Sequence, residues 1–228
     1  MGIGTRLADL AGAAVLTAAE VVAVDRIDER FVLVELHSPA FGSATWAAGA
    51  KLQIRPRRGT LAMRTYTPVD WDTGQSRTRL LAYTHGDGPA ADWFRAVEPG
   101  TTAELMGPRR SISPPANGER VVLVGDETSI ALAVALQGTG ARIATVFEAQ
   151  RPDLVPAVLD HVGLKTDSVE VVASAGGQDR TALLDRVRAA VAGVAGPCHF
   201  GVEGEAATMS TAPRGGHKRG AQHPRVTR

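Results

Sequence analysis

The chain has 228 residues, enough for one large domain or two modest ones. Its formal net charge of +1 argues against nucleic-acid binding driven by bulk charge. The single cysteine, Cys198, excludes an internal disulfide and a cysteine-rich zinc or iron–sulfur site, and it suits the cytosol.

The N-terminal stretch TRLADLAGAAVLTAA predicts a short helix over residues 6–14, with Thr5 as its N-cap. Asp9 interrupts the apolar run that a secretion signal would need. No segment reaches the roughly 18 apolar residues that span a membrane. We therefore expect a cytoplasmic protein without stable membrane insertion.

The first half consists of short predicted strands separated by polar or Gly/Pro turns, which is typical of a small antiparallel barrel or sandwich. A hairpin is predicted around residues 25–30, between two β-rich runs. Further strands are predicted in KLQIRPR, LAMRTYTP, TRLLAYTH and TTAELMGP, the last ending at Gly107 and Pro108. A helix is predicted from Pro89 to Val97, because proline suits the first positions of a helix.

The strand LAMRTYTP carries an unusual set of side chains. Alternation places Arg64 and Tyr66 on one face and turns Thr67 to the other, just before Pro68. A cation beside an aromatic ring suits a ligand that is both flat and anionic. The alternative is a polar-faced edge strand ended by proline.

The segment YTHGDGPAADWF joins a strand end to the predicted helix through a glycine-rich turn. This turn, with His85 and Gly86, is a candidate cradle for a pyrophosphate at the helix N-terminus. Trp93 packs either on a flat ligand or in the core, and His85 alone is equally consistent with a structural histidine. Neither a hydrolytic triad nor metal-ligand spacing is present in the sequence.

The second half changes its periodicity after SISPPANGE, residues 111–119, which has the composition of a linker. Apolar strands then alternate with helices, which predicts a doubly wound parallel sheet. The domains are therefore predicted as 1–110 and 120–207, followed by a disordered tail over 208–228 that is rich in Gly, Pro, Arg and His.

The run VVLVGDETSIALAV places Gly125 where an apolar strand turns into a helix. Nucleotides bind at such strand ends, although an ordinary capped turn gives the same pattern without the full G-x-G-x-x-G. Glu148 ends the next strand, where an acid commonly binds a ribose hydroxyl, and Arg151 follows, where an arginine favours a 2′-phosphate. Both are also consistent with plain surface charges, which leaves NADH and NADPH as alternatives.

Four segments in this order, MRTYTPVDWD, AYTHGDGPAADWF, ELMGPRR and LVGDETSIALAV, resemble the siderophore-interacting proteins. These are FAD-dependent ferric-siderophore reductases related to the ferredoxin–NADP reductases. The matching segments run from about Ala19 to Ala207. The resemblance implies an antiparallel FAD-binding barrel followed by a nucleotide-binding α/β domain, in a monomer that binds no nucleic acid.

The resemblance also implies roles for the residues of the FAD site. Arg64 would pair with the phosphates of FAD, Tyr66 would pack on the isoalloxazine ring, and Thr67 would lie near its reactive N5 edge. The ribityl–pyrophosphate portion would border the turn and helix that hold His85, Gly86, Ala91 and Trp93. The family often has serine where Ala91 stands.

The nicotinamide side is implied to involve Gly125, Asp126, Glu127 and Thr128, with Glu205 as the acid that faces nicotinamide and flavin. NADH or NADPH would give a hydride to the flavin, which would pass single electrons to Fe(III) in a siderophore and so release Fe(II). Thr67 and Glu205 would be the catalytic residues. The candidates for the rim that binds the anionic siderophore are Arg55, Arg57, Arg58, Arg109 and Arg110.

Two other functions stay open on the sequence. One is a general NAD(P)H:flavin oxidoreductase that passes electrons to another acceptor. The other is a non-catalytic flavin- or siderophore-binding protein, because the chain departs from the family after Thr208, where a helix and an aromatic–Arg-containing end are expected.

Overall fold

The computed structural model describes residues 16–57, 62–165, 168–175, 180–193 and 199–202, the last range for its backbone only. The helix predicted over residues 6–14 and the tail predicted over 208–228 lie outside these ranges. The described part of the chain holds a seven-stranded sheet and a four-stranded sheet.

The first sheet is antiparallel and comes from the N-terminal half. Its strands are β1 Thr17–Arg26, β2 Phe31–His37, β3 Lys51–Arg55, β4 Arg64–Tyr66, β5 Pro68–Asp72, β6 Arg77–Tyr83 and β7 Thr102–Arg109. Helix α1, Pro89–Ala96, follows β6 as the proline at its start predicts. The predicted hairpin around residues 25–30 is confirmed, since β1 and β2 pair antiparallel across it.

The sheet curves into a barrel because of where its edges lie. Its strand order is β4-β3-β7-β1-β2-β6-β5, so β4 and β5 are opposite edges. Only Thr67 separates these two strands in the chain, and the two edges must therefore meet there. The predicted antiparallel barrel fold is confirmed as an open sheet, and the Arg64–Thr67 segment lies at the seam between its two edges, β4 and β5.

Two strand boundaries differ from the prediction. The sequence predicted that the chain leaves the sheet at Pro68, but strand β5 begins there. An edge strand tolerates proline at its first residue. Strand β7 continues through Gly107 and Pro108, and its Arg109 pairs with Lys51. A Cβ on Gly107, which has φ of +117°, would lie 2.9 Å from the Lys51 carbonyl oxygen, so glycine lets the strand pass this point.

The second sheet is wholly parallel, with the order β10-β9-β8-β11. Its strands are β8 Arg120–Gly125, β9 Arg142–Ala149, β10 Val169–Ala173 and β11 His199–Val202. Its helices are α2 Ile130–Gln137, α3 Val155–His161 and α4 Thr181–Ala192. Helix α2 follows a 3₁₀ turn over Glu127–Ser129.

Side chains alternate between the two faces of the parallel sheet. Leu123 and Phe147 face α2 and α3, whereas Val122 and Val146 face α4. Helices on both faces define a doubly wound sheet, which confirms that prediction.

The two halves share one apolar core. Phe31 and Leu81 of the barrel lie in the same buried cluster as Ile130 and Leu132 of α2. Two ion pairs cross the same junction, Arg151 with Glu29 at 2.7 Å and His161 with Asp25 at 2.6 Å. The predicted domain ranges 1–110 and 120–207 stay predictions, with 110–119 joining β7 to β8 without regular structure.

Within the described residues, no helix combines the length and the apolar character needed to cross a bilayer.

Candidate functional site

A cavity of about 520 Å³ lies where the barrel meets the α/β half. This volume falls in the range of roughly 300–1,000 Å³ that is usual for cofactor sites. Strands β3, β4 and β6, the turn before α1, α1 itself and the start of α2 all contribute to it. Its lining includes Lys51, Arg64, Thr65, Tyr66, Thr67, Leu81, Tyr83, Thr84, His85, Gly86, Asp87, Gly88, Pro89, Ala90, Ala91, Phe94, Thr128 and Ala131.

Arg64 and Tyr66 both line the cavity, as their alternation in β4 predicts. The Arg64 guanidinium is exposed and donates to the Met63 carbonyl oxygen at 3.3 Å. Among the described residues it has no carboxylate partner. An arginine that faces a cavity without an acidic partner is a ready site for an anionic group such as a phosphate.

Tyr66 forms a flat wall of the cavity. Its ring packs against the Phe94 ring with centroids 4.9 Å apart, and this contact fixes the plane of the Tyr66 ring. Burial raises the pKa of the Tyr66 hydroxyl to about 12, although the nearby Arg64 charge opposes the shift. The phenol is therefore neutral at physiological pH and offers an aromatic face to a flat ligand.

A pH titration tests this environment, because the chain has two tyrosines and both line the cavity. Burial, together with the Glu127 charge, also raises the pKa of Tyr83 above its ordinary value of 10. In the ligand-free folded protein we expect little tyrosinate absorbance at pH 10, and Tyr66 ionising near 12. Both tyrosines should titrate near 10 in denaturant.

The raised pKa values of the two tyrosines make the stability of the folded protein depend on pH. Because the unfolded state loses its phenol protons first, stability is intact below pH 10 and falls as the pH rises toward 12. Tyr66→Phe should remove most of that fall. Half-ionisation of both tyrosines at pH 10 in the folded protein would contradict the packing of Tyr66.

Thr67 lies at the seam between β4 and β5 and is 7% exposed. Its hydroxyl oxygen accepts a hydrogen bond from the Lys51 ammonium at 2.7 Å. The hydroxyl keeps its own proton to donate toward the cavity. Sequence reasoning missed Lys51, which only the β3–β4 pairing brings beside Thr67.

The turn between β6 and α1 forms the opposite wall. The His85 ring stacks on Tyr83 with centroids 5.1 Å apart. Gly86 and Gly88 have φ of +65° and +156°, and a Cβ on either would meet no atom within 4 Å. The turn therefore presents bare backbone to open space, as a phosphate cradle requires.

Helix α1 points its N-terminus at this turn. Its first residue, Pro89, has no amide proton, and the Asp92 amide bonds the Gly88 carbonyl oxygen at 2.9 Å. The amides of Ala90 and Ala91 precede the first intrahelical bond and suit an anion. Ala91 lines the cavity but offers an amide where a serine would add a hydroxyl.

Trp93 is not a cavity residue. Its ring meets Phe94 edge to face with centroids 4.8 Å apart and packs on the barrel core. The core alternative for Trp93 is the one observed, and Phe94, which sequence reasoning missed, takes the place beside Tyr66.

The α/β half contributes less than predicted to the described cavity. Of the four residues from Gly125 to Thr128, only Thr128 lines it. Asp126 accepts a hydrogen bond from the Thr128 amide at 2.9 Å and so caps the 3₁₀ turn. Glu127 is 4% exposed and accepts from the Gln150 amide at 2.6 Å. These two carboxylates hold the backbone instead of facing the cavity.

The sheet topology has a switch point near Gly125. Strand β9 lies on one side of β8 and β11 on the other, so the strand order reverses at the carboxyl end of β8. Ligands of open α/β sheets bind at such a switch point. Glu205, the predicted acid of the nicotinamide side, lies outside the described residues.

Glu148 is buried and is not a plain surface charge, whereas Arg151 is a surface arginine held in ion pairs. Glu148 is buried at the end of β9, within 3.5 Å of the Ser174 hydroxyl. Arg151 donates to both carboxylate oxygens of Asp153 and to Glu29, and these contacts raise the pKa of its guanidinium. A 2′-phosphate would have to compete with two carboxylates for Arg151.

The arginines predicted for a substrate rim do not converge on the cavity. Arg55 is a correction, because its side chain is buried in an ion pair with Glu104 inside the barrel wall. Arg57 is exposed, Arg109 contacts the Met106 sulfur and Arg110 contacts Ser113. None of these four lines the cavity, and Arg58 lies outside the described residues.

Comparison with known families gives a match to the siderophore-interacting FAD-binding domain over residues 43–112. Comparison with the curated proteins gives no match. The matched range holds strands β3 to β7, helix α1 and almost all of the cavity lining.

Solved structures of the same fold cover most of this chain. A siderophore-interacting protein from Acinetobacter baumannii is 15% identical with a TM-score of 0.59, over 83% of this chain and 77% of that one. The siderophore-interacting protein SipS from Aeromonas hydrophila is 19% identical with a TM-score of 0.57, over 84% and 80%. A ferredoxin NADP+ reductase from Neisseria gonorrhoeae with bound FAD and NADP is 16% identical with a TM-score of 0.61, over 84% and 86%.

The chain thus shares the fold of these structures, an antiparallel barrel followed by a parallel α/β domain. Residues 43–112 match the siderophore-interacting FAD-binding domain, in agreement with the resemblance seen in the sequence. The prediction of FAD as cofactor is confirmed by the same match.

The cavity residues fit FAD on their own chemistry. A neutral aromatic face at Tyr66 suits a flat ring, and an unpaired cation at Arg64 suits a phosphate. The open turn at Gly86 and the amides of Ala90 and Ala91 suit a pyrophosphate.

Proposed function

We propose that the protein is an FAD-dependent oxidoreductase that takes electrons from NADH or NADPH and reduces ferric siderophores, releasing iron as Fe(II). The observation that carries this proposal is the cavity at the junction of the two halves. One wall is the Arg64–Thr67 segment of the FAD-binding domain, and the other includes Thr128 of the nucleotide-binding half. A cofactor in this cavity is therefore within reach of a nucleotide bound at the switch point.

Different residues of the cavity would hold different parts of FAD. When bound, FAD accepts two electrons together and returns them singly. Arg64 would pair with phosphate, and Tyr66 would pack on the isoalloxazine ring. The Thr67 hydroxyl, oriented by Lys51, would donate to a polar edge of that ring. The apolar core shared by the barrel and α2 keeps water from the floor of the site.

A ferric siderophore suits the exposed side of this cavity. Many ferric siderophores are anionic, and the Lys51 and Arg64 charges lie together at the cavity. Hard oxygen chelators hold Fe(III) far more tightly than Fe(II), so one-electron reduction releases the metal. The matched domain family and two of the structural neighbours are siderophore-interacting proteins, which supports the same class of substrate.

Anaerobic absorption spectra test this function. FAD-loaded protein should bleach on addition of NADH or NADPH and recover its colour when a ferric catecholate chelate is added. A chromogenic Fe(II) chelator should then report iron in proportion to the nicotinamide consumed. Bleaching without iron reduction would instead indicate a general flavin oxidoreductase, and a flavin that neither nicotinamide bleaches would indicate a non-catalytic binding protein.

A further inference from the structure

Lys51 holds a positive charge against a buried hydroxyl in the wall of the cavity. Its ammonium donates to the Thr67 hydroxyl oxygen at 2.7 Å, and both residues line the cavity. Lys51 is half-buried and Thr67 is 7% exposed. Because protein replaces part of the water around this ammonium, its field is screened less than that of a lysine on the open surface.

The formal charges of the cavity are divided between its two walls. Lys51 and Arg64 belong to the wall formed by β3 and β4. Asp87 is the one acid among the described lining residues, and it belongs to the turn between β6 and α1 that forms the opposite wall. The Glu127 carboxylate is buried outside the lining, where it accepts from the Gln150 amide. The wall with the Tyr66 ring is therefore the positive one.

The bond from Lys51 also determines what the Thr67 hydroxyl can do. Its oxygen accepts from the ammonium, so its own proton is left to donate toward the cavity. Thr67 directly follows Tyr66 at the end of β4, and a ring packed on Tyr66 would have one edge beside this hydroxyl. Two successive hydrogen bonds then put the Lys51 ammonium within about 6 Å of that edge.

Reduction gives a flavin ring a charge that the Lys51 ammonium can stabilise. The hydride that NADH or NADPH donates carries two electrons and one proton, and the nicotinamide leaves with one more positive charge. The oxidised isoalloxazine ring is neutral, so it gains one negative charge unless a further proton follows. A charge near the ring shifts the balance between these two states, which is one way in which a protein tunes a flavin.

We propose that Lys51 raises the reduction potential of the bound flavin, because it holds a positive charge beside the ring through its hydrogen bond to Thr67. The inference rests on the assignment of FAD to this cavity in the proposed function. Lys51 would stabilise the reduced ring and so favour electron uptake from nicotinamide. Arg64, which would pair with a phosphate, acts on the binding of oxidised and reduced FAD alike.

An anaerobic spectroelectrochemical titration of the FAD-loaded full chain tests this inference. Lys51→Met removes the charge and should lower the preference for reduced over oxidised FAD about ten-fold, which is a two-electron potential about 30 mV more negative. Fluorescence titration with oxidised FAD should give an affinity within about three-fold of the unaltered protein, because the oxidised ring is neutral. Lys51→Arg should keep most of the potential, since it keeps the charge.

Two further variants separate the charge from other effects. Arg77→Met is the matched control, because Arg77 pairs with Glu35 and does not line the cavity, and it should leave the potential unchanged. Thr67→Val keeps the Lys51 charge and should shift the potential less than Lys51→Met does. The melting temperature of each variant separates a change in the site from a loss of fold.

The possible failures of this inference differ from those of the proposed function. An unchanged potential in Lys51→Met, or an equal shift in Thr67→Val, would overturn the role of the Lys51 charge while leaving FAD in the cavity. Failure of the unaltered, folded protein to bind FAD would instead overturn the proposed function.

Discussion

Arg64→Ala is expected to weaken FAD binding by about ten- to a hundred-fold, because it removes a charge-assisted phosphate contact. The structure supports this size of effect, since Arg64 faces the cavity without an acidic partner among the described residues. No ion pair among the described residues is lost with Arg64, so the folded state should be little changed. Flavin content after gel filtration and a fluorescence titration with FAD measure the effect.

The same titration with FMN sharpens the test of Arg64. The binding of both flavins should weaken, because both place a phosphate near the cavity. Arg77→Ala serves as the control for the loss of one positive charge, because Arg77 pairs with Glu35 and does not line the cavity. Unchanged flavin content in Arg64→Ala would contradict the assignment of the phosphate to Arg64.

Arg55→Ala is expected to cost about 3–5 kcal/mol of unfolding free energy, because it breaks a largely buried ion pair with the Glu104 carboxylate. The Arg55 side chain is 3% exposed and the Glu104 side chain is 17% exposed. The Arg55 Nε donates to a Glu104 carboxylate oxygen at 2.5 Å. Urea unfolding of the ligand-free protein measures the loss.

Two comparisons make this stability test specific. Arg57→Ala removes an exposed arginine two residues away and should change the unfolding free energy by less than about 0.5 kcal/mol. Replacing Arg55 and Glu104 together with leucine should restore most of the stability, since no unpaired charge remains. An Arg55→Ala variant with normal stability but a raised KM for a ferric chelate would contradict this account and indicate that Arg55 binds the substrate.

The sequence alone predicted the parts of the site that depend on local periodicity and turn chemistry. Alternation in a strand brought Arg64 and Tyr66 to one face, and both line the cavity. The proline at position 89 placed the start of α1 correctly. Such inferences succeed because the residues involved are neighbours in the chain.

Charges were the hardest residues to interpret, because their partners are remote in sequence. Arg55 meets Glu104, 49 residues away, and Glu127 meets the Gln150 amide, 23 residues away. Both had been expected to face ligands, and both are occupied inside the protein. Lys51 was missed for the converse reason, since strand pairing alone brings it to Thr67.

The barrel seam explains the missed strand. A proline after Thr67 suggested that the sheet ended there, and the local pattern gave no other indication. The chain instead crosses from one sheet edge to the other at this point, so β5 begins at once at Pro68. Which strands form the edges is a property of the whole sheet and is not visible in a short segment.

The central claim is that the cavity beside Arg64–Thr67 binds one FAD. Titration of the purified, folded protein with FAD tests it most directly, with flavin fluorescence as the signal and gel filtration to remove unbound cofactor. The account predicts saturation at one FAD per chain and a yellow protein after filtration. A folded protein that stays colourless in excess FAD would contradict it.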